Sequence, residues 1–317
     1  MGYNAQVRRD IKKHCRAQVS EHLGRCIAVQ VLYAMPFLLL GAILYLVDFS
    51  SIVTSYVMYR QLLPGGIVRQ DRNAICLVIA ACILIGGPLL FGLMRFYIRL
   101  YRGEETNIST LFQPFASGRS FWAGIRMSVV LWVRSVLWMI APTIAFLLIF
   151  FGALTGIYFS GAPLTENAVG ILAAVFYVLY EIVCIPVQVK VTTYNAGWVL
   201  LDENEAQPAW AATKQASGAF RGRLRQMFVF YLSFFWWYVL LAAVMGAGVT
   251  ITFAAATILP GAKGIAVCAL ALAAGGCLTV VIDSFLSAYM TTSFFGLYDF
   301  FCRAAQTGAE SADTMPS

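Results

Sequence analysis

The sequence predicts an all-α, polytopic transmembrane helix bundle of about six spans, with kinked helices and helices lying on the cytoplasmic surface. The first observation is composition: 60% of the 317 residues are hydrophobic and 12% are charged, against about half and about a quarter in soluble proteins. The second is the presence of long uncharged runs such as 144–159 and 265–282. The third is the clustering of basic residues between such runs. A soluble domain of this composition would have too few charged residues to cover its surface.

The first 26 residues are predicted to form a cytoplasmic, basic, amphipathic segment. Val7, Ile11 and Val19 recur at helical spacing, and cations lie between them. The segment is too long and too charged for the n-region of a cleaved signal peptide, and no A-x-A site follows the first apolar run. We therefore expect residues 27–48 to stay in the membrane as the first span.

Six apolar stretches are long enough to span a bilayer, which takes about 20 residues. They are 27–48, 74–94, 127–150, 168–189, 227–257 and 264–282. The transmembrane domain is therefore expected to cover 27–302. The stretch 121–160 leaves two alternatives, namely one tilted helix with an interfacial foot or a hairpin bent at Pro142. A hairpin would invert every later span and weaken the charge asymmetry described below.

Helix-breaking residues lie within several of these stretches. They are Pro36, Gly86–Gly87–Pro88, Pro142 and Pro186. In a membrane, neighbouring helices must satisfy the backbone groups that such residues free. Kinks are therefore predicted at these positions.

The distribution of basic residues predicts the orientation. With the N-terminus in the cytoplasm, 17 of the 22 Lys and Arg residues fall on the cytoplasmic side and four fall outside, with Arg134 left out because it lies within a span. The four external cations are Arg60, Arg69, Arg72 and Lys263. By the positive-inside rule, both termini are expected in the cytoplasm.

Residues 206–225, between the fourth and fifth spans, are predicted to form a cytoplasmic interfacial helix. Apolar and small residues recur there at helical spacing, and Lys214, Arg221 and Arg225 flank that stripe. These three cations are candidate contacts for anionic lipid headgroups. The polar residues 303–317 are predicted to be a disordered cytoplasmic tail.

Several short phrases occur in an order that resembles the bacterial membrane family known as domain of unknown function 975. They are GPLLFG at 87–92, RFY at 95–97, RGE at 102–104, LFQPF at 111–115, IP at 185–186, LDEN at 201–204, YLSF at 231–234 and YMTT at 289–292. The resemblance implies a polytopic bacterial inner-membrane protein, and it implies no catalytic residue or substrate. Two stretches, 141–184 and 243–282, are longer than the family pattern, and Leu297 stands where the family pattern has Phe.

Enzymatic chemistry finds little support in the residues. The only histidines, His14 and His22, precede the first span, so the commonest general base and metal ligand is missing from the membrane interior. No G-x-S-x-G, P-loop or Rossmann pattern occurs, and the 8 cysteines include no C-x-x-C pair. We expect a protein that is not an enzyme and that needs no cofactor, metal or nucleic acid.

Four charged residues inside or at the end of spans are the candidate binding residues: Arg134, Glu181, Lys190 and Asp283. A charge in hydrocarbon costs about 3 kcal/mol or more, so each needs a partner or water. Counting about 1.5 Å per residue places Arg134 and Glu181 each about 20 Å from the end of its span, which predicts that they pair. Two interpretations stay open: a polar cavity open to the cytoplasm, or a structural ion pair with snorkelling to the interface.

Three functions remain open on the sequence alone. The first is binding or transport of a small solute or lipid-like compound, which the broken helices, the intramembrane charges and a weak repeat of 185–202 at 282–299 favour. The second is a noncatalytic membrane partner or envelope-protection protein that docks to another membrane protein, to a second copy or to lipid. The third, an intramembrane enzyme, lacks catalytic motifs.

Overall fold

A computed structural model of the protein describes residues 5–59, 67–160, 166–258 and 262–313, and within these ranges it is helical with no β-strand. The α-helices are α1 (Ala5–Glu21), α2 (Leu23–Tyr59), α3 (Ile67–Arg102), α4 (Gln113–Ala116), α5 (Gly118–Phe159), α6 (Glu166–Thr192), α7 (Gly197–Glu203), α8 (Ala209–Gly218), α9 (Leu224–Leu232), α10 (Phe235–Ile258) and α11 (Ala262–Asp313). Two 3-10 turns, Ile108–Phe112 and Thr193–Ala196, precede α4 and α7. The predicted all-α class is confirmed.

Six of these helices are long and apolar enough to cross a membrane, as predicted: α2, α3, α5, α6, α10 and α11. Consecutive ones pack as three hairpins, α2–α3, α5–α6 and α10–α11. Helix α5 runs unbroken past Pro142. Residues 136–148 contain no Gly, Asn or Asp that would favour a turn around that proline. The single-helix alternative for 121–160 is therefore correct.

Burial divides each long helix into two parts, and we call the place where the burial of a helix ends its boundary. On one side lies the inner layer, in which α1, α4, α7, α8, α9 and both 3-10 turns pack against the adjoining parts of α2, α3, α5, α6 and α11. The buried stretches of the long helices reach the boundary at Val29, Gly87, Arg134, Val189 and Ser284. Beyond it, the described side chains of these helices and of α10 are exposed or half-buried, apart from Cys184 and Ala255.

The parts beyond the boundary, here called the outer segments, have the length of membrane spans. In α3, α5, α6, α10 and α11 they continue for about 20 to 25 residues, and about 20 residues cross a hydrocarbon core of about 30 Å. The inner end of the predicted span 74–94 lies within the inner layer. Apolar residues there, such as Phe91 and Leu93, are covered by protein. A hydropathy scale gives an apolar residue the same value whether it packs against protein or faces lipid.

Two predicted segments have different bounds in the structure. Residues 206–225 do not form one helix, because α8 ends at Gly218 and Gly222 takes a positive φ of 73° before α9 begins at Leu224. A residue with positive φ cannot continue a right-handed helix. At the other end, α11 continues as far as Asp313 where the sequence predicts a disordered tail from residue 303. Alanines in this stretch favour helix.

Helix α1 packs on the inner layer. The Nζ atom of Lys12 donates to the carbonyl oxygen and the hydroxyl of Ser233, each at 3.0 Å, and lies 3.9 Å from the centroid of the Phe234 ring. Burial and the nearby charge of Arg8 lower the pKa of Lys12 to about 8. A Cβ atom at Gly296 of α11 would lie 2.9 Å from Tyr101 and 3.0 Å from Ile11. The basic segment therefore contributes part of the fold.

Candidate functional site

Three of the four predicted intramembrane charges lie where the burial of their own helix ends. Arg134 is buried and lies where the buried part of α5 ends, Lys190 follows the buried Val189, and Asp283 precedes the buried Ser284. The length of about 20 Å counted along α5 to Arg134 includes the first turns of that helix, which lie within the inner layer.

The side chain of Arg134 lies between two aromatic rings. Its guanidinium carbon is 4.0 Å from the centroid of the Trp210 ring and 4.6 Å from that of Tyr194. Its Nη2 donates to the carbonyl oxygen of Trp210 at 3.1 Å. The indole N–H of Trp138 donates to the hydroxyl of Tyr194 at 3.0 Å, which holds that ring in place. The Nε of Arg134 is buried and has no hydrogen-bond partner among the described residues.

Lys190 approaches the same tyrosine, because its Nζ lies 5.3 Å from the centroid of the Tyr194 ring. We call Arg134, Lys190, Tyr194 and Trp210 the Arg134 cradle. Among the side chains that the structure describes, no carboxylate forms an ion pair with either cation. The cradle is therefore a cationic site whose cations are held by aromatic rings and a carbonyl oxygen.

Glu181 is not the partner of Arg134, so the predicted ion pair is absent from the described structure. Its Oε2 accepts a hydrogen bond from the Nε2 of Gln188 on the same helix, at 3.3 Å. Lys190 lies at the level of the cradle, and Glu181 lies about 13 Å further along α6 at 1.5 Å per residue. The separation along the helix explains why the pair does not form.

Asp283 is half-buried on α11, on a different helix from the cradle. Helix α11 packs against α3, which carries Tyr97, and against α10, which carries Tyr238. The hydroxyl of Tyr97 donates to the Oε1 of Gln30 at 3.0 Å. Asp283 therefore belongs to the contact between α11 and its neighbours α3 and α10, and the four predicted charges do not form one cluster.

A buried charge network in the inner layer was missed by the sequence reasoning. The guanidinium of Arg95 forms ion pairs with Asp202 and with Glu205, the latter at 2.8 Å. The hydroxyl of Ser120 donates to Glu205 at 2.7 Å. Burial would raise the pKa of Glu205, but the hydrogen bonds from Arg95 and Ser120 outweigh it and hold that pKa below its usual value.

This network joins α3, α5 and the end of α7. The signal for it was in the sequence, since Arg95 belongs to the phrase RFY and Asp202 to LDEN, both used above for the family resemblance. The guanidinium also lies 4.5 Å from the Phe91 ring, which stacks on Trp198 at 5.7 Å. Because each charged side chain of this network has an oppositely charged partner, we interpret the network as a contact that stabilises the packing of these helices.

A groove of about 510 Å³ lies at the boundary between α2, α3 and α5. We call it the boundary groove; its lining residues are Tyr33, Phe37, Cys82, Ile83, Gly86, Gly87, Leu90, Ser128, Val129 and Trp132. The wall is apolar and aromatic. The Oγ of Ser128 is a buried polar atom in it and has no hydrogen-bond partner in the described part of the chain.

Glycines bring the groove's helices together. A Cβ atom on Gly87 would lie 2.9 Å from the Cα of Ile125, and one on Gly124 would lie 3.0 Å from the carbonyl oxygen of Gly87. Helices α3 and α5 therefore cross at backbone contact, which larger residues would prevent. The Phe37 ring of α2 closes the side, 3.1 Å from where a Cβ of Gly86 would lie.

The groove and the Arg134 cradle lie on different faces of α5. Ser128 faces the groove and Arg134 faces α8, and at 3.6 residues per turn these two positions point in different directions. Lys214, Arg221 and Arg225 are all exposed at the surface of the inner layer. Their contact with anionic headgroups stays a prediction.

Comparison with known proteins gives one finding. The model of a family described as "Protein of unknown function (DUF975)" matches residues 6–298 of the 317-residue chain. No curated protein and no solved structure matches the chain.

Proposed function

The chain belongs to the DUF975 family, and from this membership and the boundary groove we propose that it binds a lipid-like compound in the membrane, as a binding protein or carrier. In this proposal the protein is a noncatalytic, multi-pass protein of the bacterial inner membrane with both termini in the cytoplasm. The observation that carries the proposal is the boundary groove, an apolar recess where the outer segments begin.

The groove suits the hydrocarbon chain of an amphiphile. Its volume of about 510 Å³ falls within the range of about 300–1,000 Å³ that is usual for small-molecule sites. Phe37 and Trp132 offer flat apolar walls, and burying a hydrocarbon chain against them adds dispersion contacts that loose lipid packing does not provide. The hydroxyls of Ser128 and Tyr33 are the polar groups that a linker or headgroup oxygen would meet.

A chain in the groove would lie in the inner half of the bilayer. The groove includes Gly87, where the buried part of α3 reaches the boundary, and it extends to Cys82 on the outer segment. The polar end of the amphiphile would then face the inner layer and its apolar end would follow α2 and α3. Orientation of the bound compound therefore follows from the two-part fold.

Filling the groove tests the proposal. Cys82 is half-buried and lines the groove, so Cys82→Trp would place an indole in the space that the hydrocarbon chain occupies. The matched control is Cys277→Trp, because Cys277 is exposed on the outer segment of α11. Both variants would be reconstituted in nanodiscs with a photoactivatable phospholipid that carries its reactive group in the acyl chain.

We expect strong labelling of groove peptides in the unsubstituted protein and in Cys277→Trp, and labelling reduced about fivefold or more in Cys82→Trp. A fivefold loss corresponds to about 1 kcal/mol of binding free energy. Thermal melting would establish that each variant is folded. Equal labelling of the groove in a folded Cys82→Trp variant would overturn the proposal.

A further inference from the structure

We propose that the Arg134 cradle binds the phosphate group of an anionic phospholipid from the cytoplasmic leaflet, at a site separate from the boundary groove. The inference does not depend on what the groove holds. It rests on the charge of the cradle, on its unsatisfied donor and on its level in the fold.

Charge comes first. Arg134 is only 9% exposed, and Lys190 lies on the same tyrosine ring, so two cations share a small region. In the described part of the chain the three ion pairs involve Arg95 and Arg102, and none involves the cradle. Buried cations are costly unless a negative charge accompanies them. A ligand with a phosphate group supplies that charge.

The unsatisfied donor is the second observation. The guanidinium uses Nη2 for the Trp210 carbonyl, while its buried Nε has no partner among the described residues. A guanidinium presents its N–H groups as a planar fork that matches phosphate oxygens, which strengthens the bond beyond that of a point charge. Because the aromatic rings of the cradle lie against the faces of the guanidinium, an oxygen would bind at its edge.

The level of the cradle identifies the source of the phosphate. Trp132 is 67% exposed on one side of Arg134 along α5, and Leu137 is 57% and Trp138 45% exposed on the other, so apolar surface that can face lipid lies within about one helical turn of Arg134. Tyrosine and tryptophan are enriched where hydrocarbon meets headgroups, and Tyr194, Trp210 and Trp138 lie together here. A headgroup phosphate beside such a ring therefore lies at the height of the cradle.

The test compares lipids on the folded, full-length protein. The unsubstituted protein would be placed in nanodiscs of phosphatidylglycerol and phosphatidylcholine in equal amounts, and native mass spectrometry would count the lipids that it retains. The variants are Lys190→Gln, which removes one cation without removing a buried hydrogen bond, Arg134→Gln, and Arg134→Lys. The matched control is Arg126→Gln, because Arg126 is exposed on α5 and its Nε donates to the carbonyl oxygen of Trp122 on its own helix.

We expect the unsubstituted protein and Arg126→Gln to retain phosphatidylglycerol about tenfold in preference to phosphatidylcholine, the size of effect that one charge-assisted contact gives. Lys190→Gln should lose most of this preference, and Arg134→Lys should keep part of it. Inorganic phosphate, compared with chloride at equal ionic strength, should not raise the melting temperature of the detergent-solubilised protein.

Two outcomes would overturn the proposal. One is an unchanged preference in Lys190→Gln, which is informative even if Arg134→Gln fails to fold. The other is stabilisation by inorganic phosphate without any lipid preference, which would make the ligand a free anion. Acyl-chain labelling of the boundary groove should be the same in Lys190→Gln as in the unsubstituted protein, so failure of one proposal does not decide the other.

Discussion

Two buried arginines show how differently one residue type is accommodated in this fold. Arg95 forms ion pairs with two carboxylates, one of which also accepts a hydrogen bond from Ser120, so its charge is neutralised by the chain itself. Arg134 has aromatic rings and a carbonyl oxygen, which attract a cation without neutralising it. The first arrangement stabilises the inner layer, and the second leaves charge available for a ligand.

Removing the cation of the network should destabilise the fold. In Arg95→Met, Asp202 and Glu205 lose their partner while they remain largely buried, which costs about 3–5 kcal/mol in comparable cases. The measurement is the free energy of unfolding in detergent. Arg102→Met is the control, because the pair that Arg102 forms with Glu203 at 2.7 Å is more exposed, and surface pairs contribute about 0–1 kcal/mol. Equal losses in both variants would contradict this account.

At the residue scale, the sequence identified the charged residues that are costly to place in a membrane span, but it did not identify the groups that contact them. Arg134, Lys190 and Asp283 were found because charges are rare in apolar stretches. The pairing of Arg134 with Glu181 was wrong, because depth along a helix depends on where lipid contact begins, and that level is set by tertiary packing. Arg95 was overlooked as a site because its carboxylate partners lie more than a hundred positions later in the chain.

Among the elements, α3 shows the tightest packing. Its glycines face other backbone segments: Gly87 meets α5, and Gly92 meets the 3-10 turn before α4. A Cβ atom on Gly92 would lie only 2.0 Å from the carbonyl oxygen of Leu111. No rotation of a side chain relieves such a contact, because the backbone fixes the position of the Cβ atom and the Leu111 oxygen is itself a backbone atom.

Gly92→Ala should therefore lower the free energy of unfolding by about 1–3 kcal/mol or more, the usual cost of overpacking. Gly152→Ala on α5 is the control, because nothing lies within 4 Å of a Cβ atom there. That control should be neutral or stabilising by up to about 1 kcal/mol, since alanine favours helix over glycine. Chemical unfolding in detergent would measure both, and a stable Gly92→Ala variant would show that α3 can move away from Leu111.

Element type was predictable from the sequence and element boundaries were not. The predicted span 227–257 is divided in the structure into α9 and α10, with Ser233 and Phe234 between them. Hydropathy stays high through this junction, so periodicity carries no sign of the break. The hydrogen bonds of Lys12 to Ser233 show what occupies it, and that contact joins residues 221 positions apart.

For the whole molecule, the two-part fold explains which predictions held. The six long apolar helices follow from composition and length, because each satisfies its own backbone hydrogen bonds and needs only an apolar surface. The existence of the inner layer does not follow from composition and length. Its helices carry apolar residues because they pack against one another, and not because they face lipid. A single sequence gives no measure of that difference.

The orientation of the protein in the membrane is a prediction about the whole chain. If both termini lie in the cytoplasm, then so does the inner layer, and a reporter fused after Ser317 should be active on the cytoplasmic side while one inserted within 159–167 reports outside. The expectation follows from the excess of cations on one side. A C-terminal reporter active outside would reverse the assignment of the inner layer and of both proposed lipid sites to the inner leaflet.

The contact between the first and last helices also determines when the protein can finish folding during its synthesis. Lys12 and Cys15 of α1 lie in a layer that is completed by residues 284–302 of α11. The ribosome has therefore delivered all six spans to the membrane before this layer can close, although chains generally fold from the N-terminus as they emerge. Until α11 has been synthesised, the side chains of α1 that pack against it remain uncovered, so the inner layer is completed only at the end of translation.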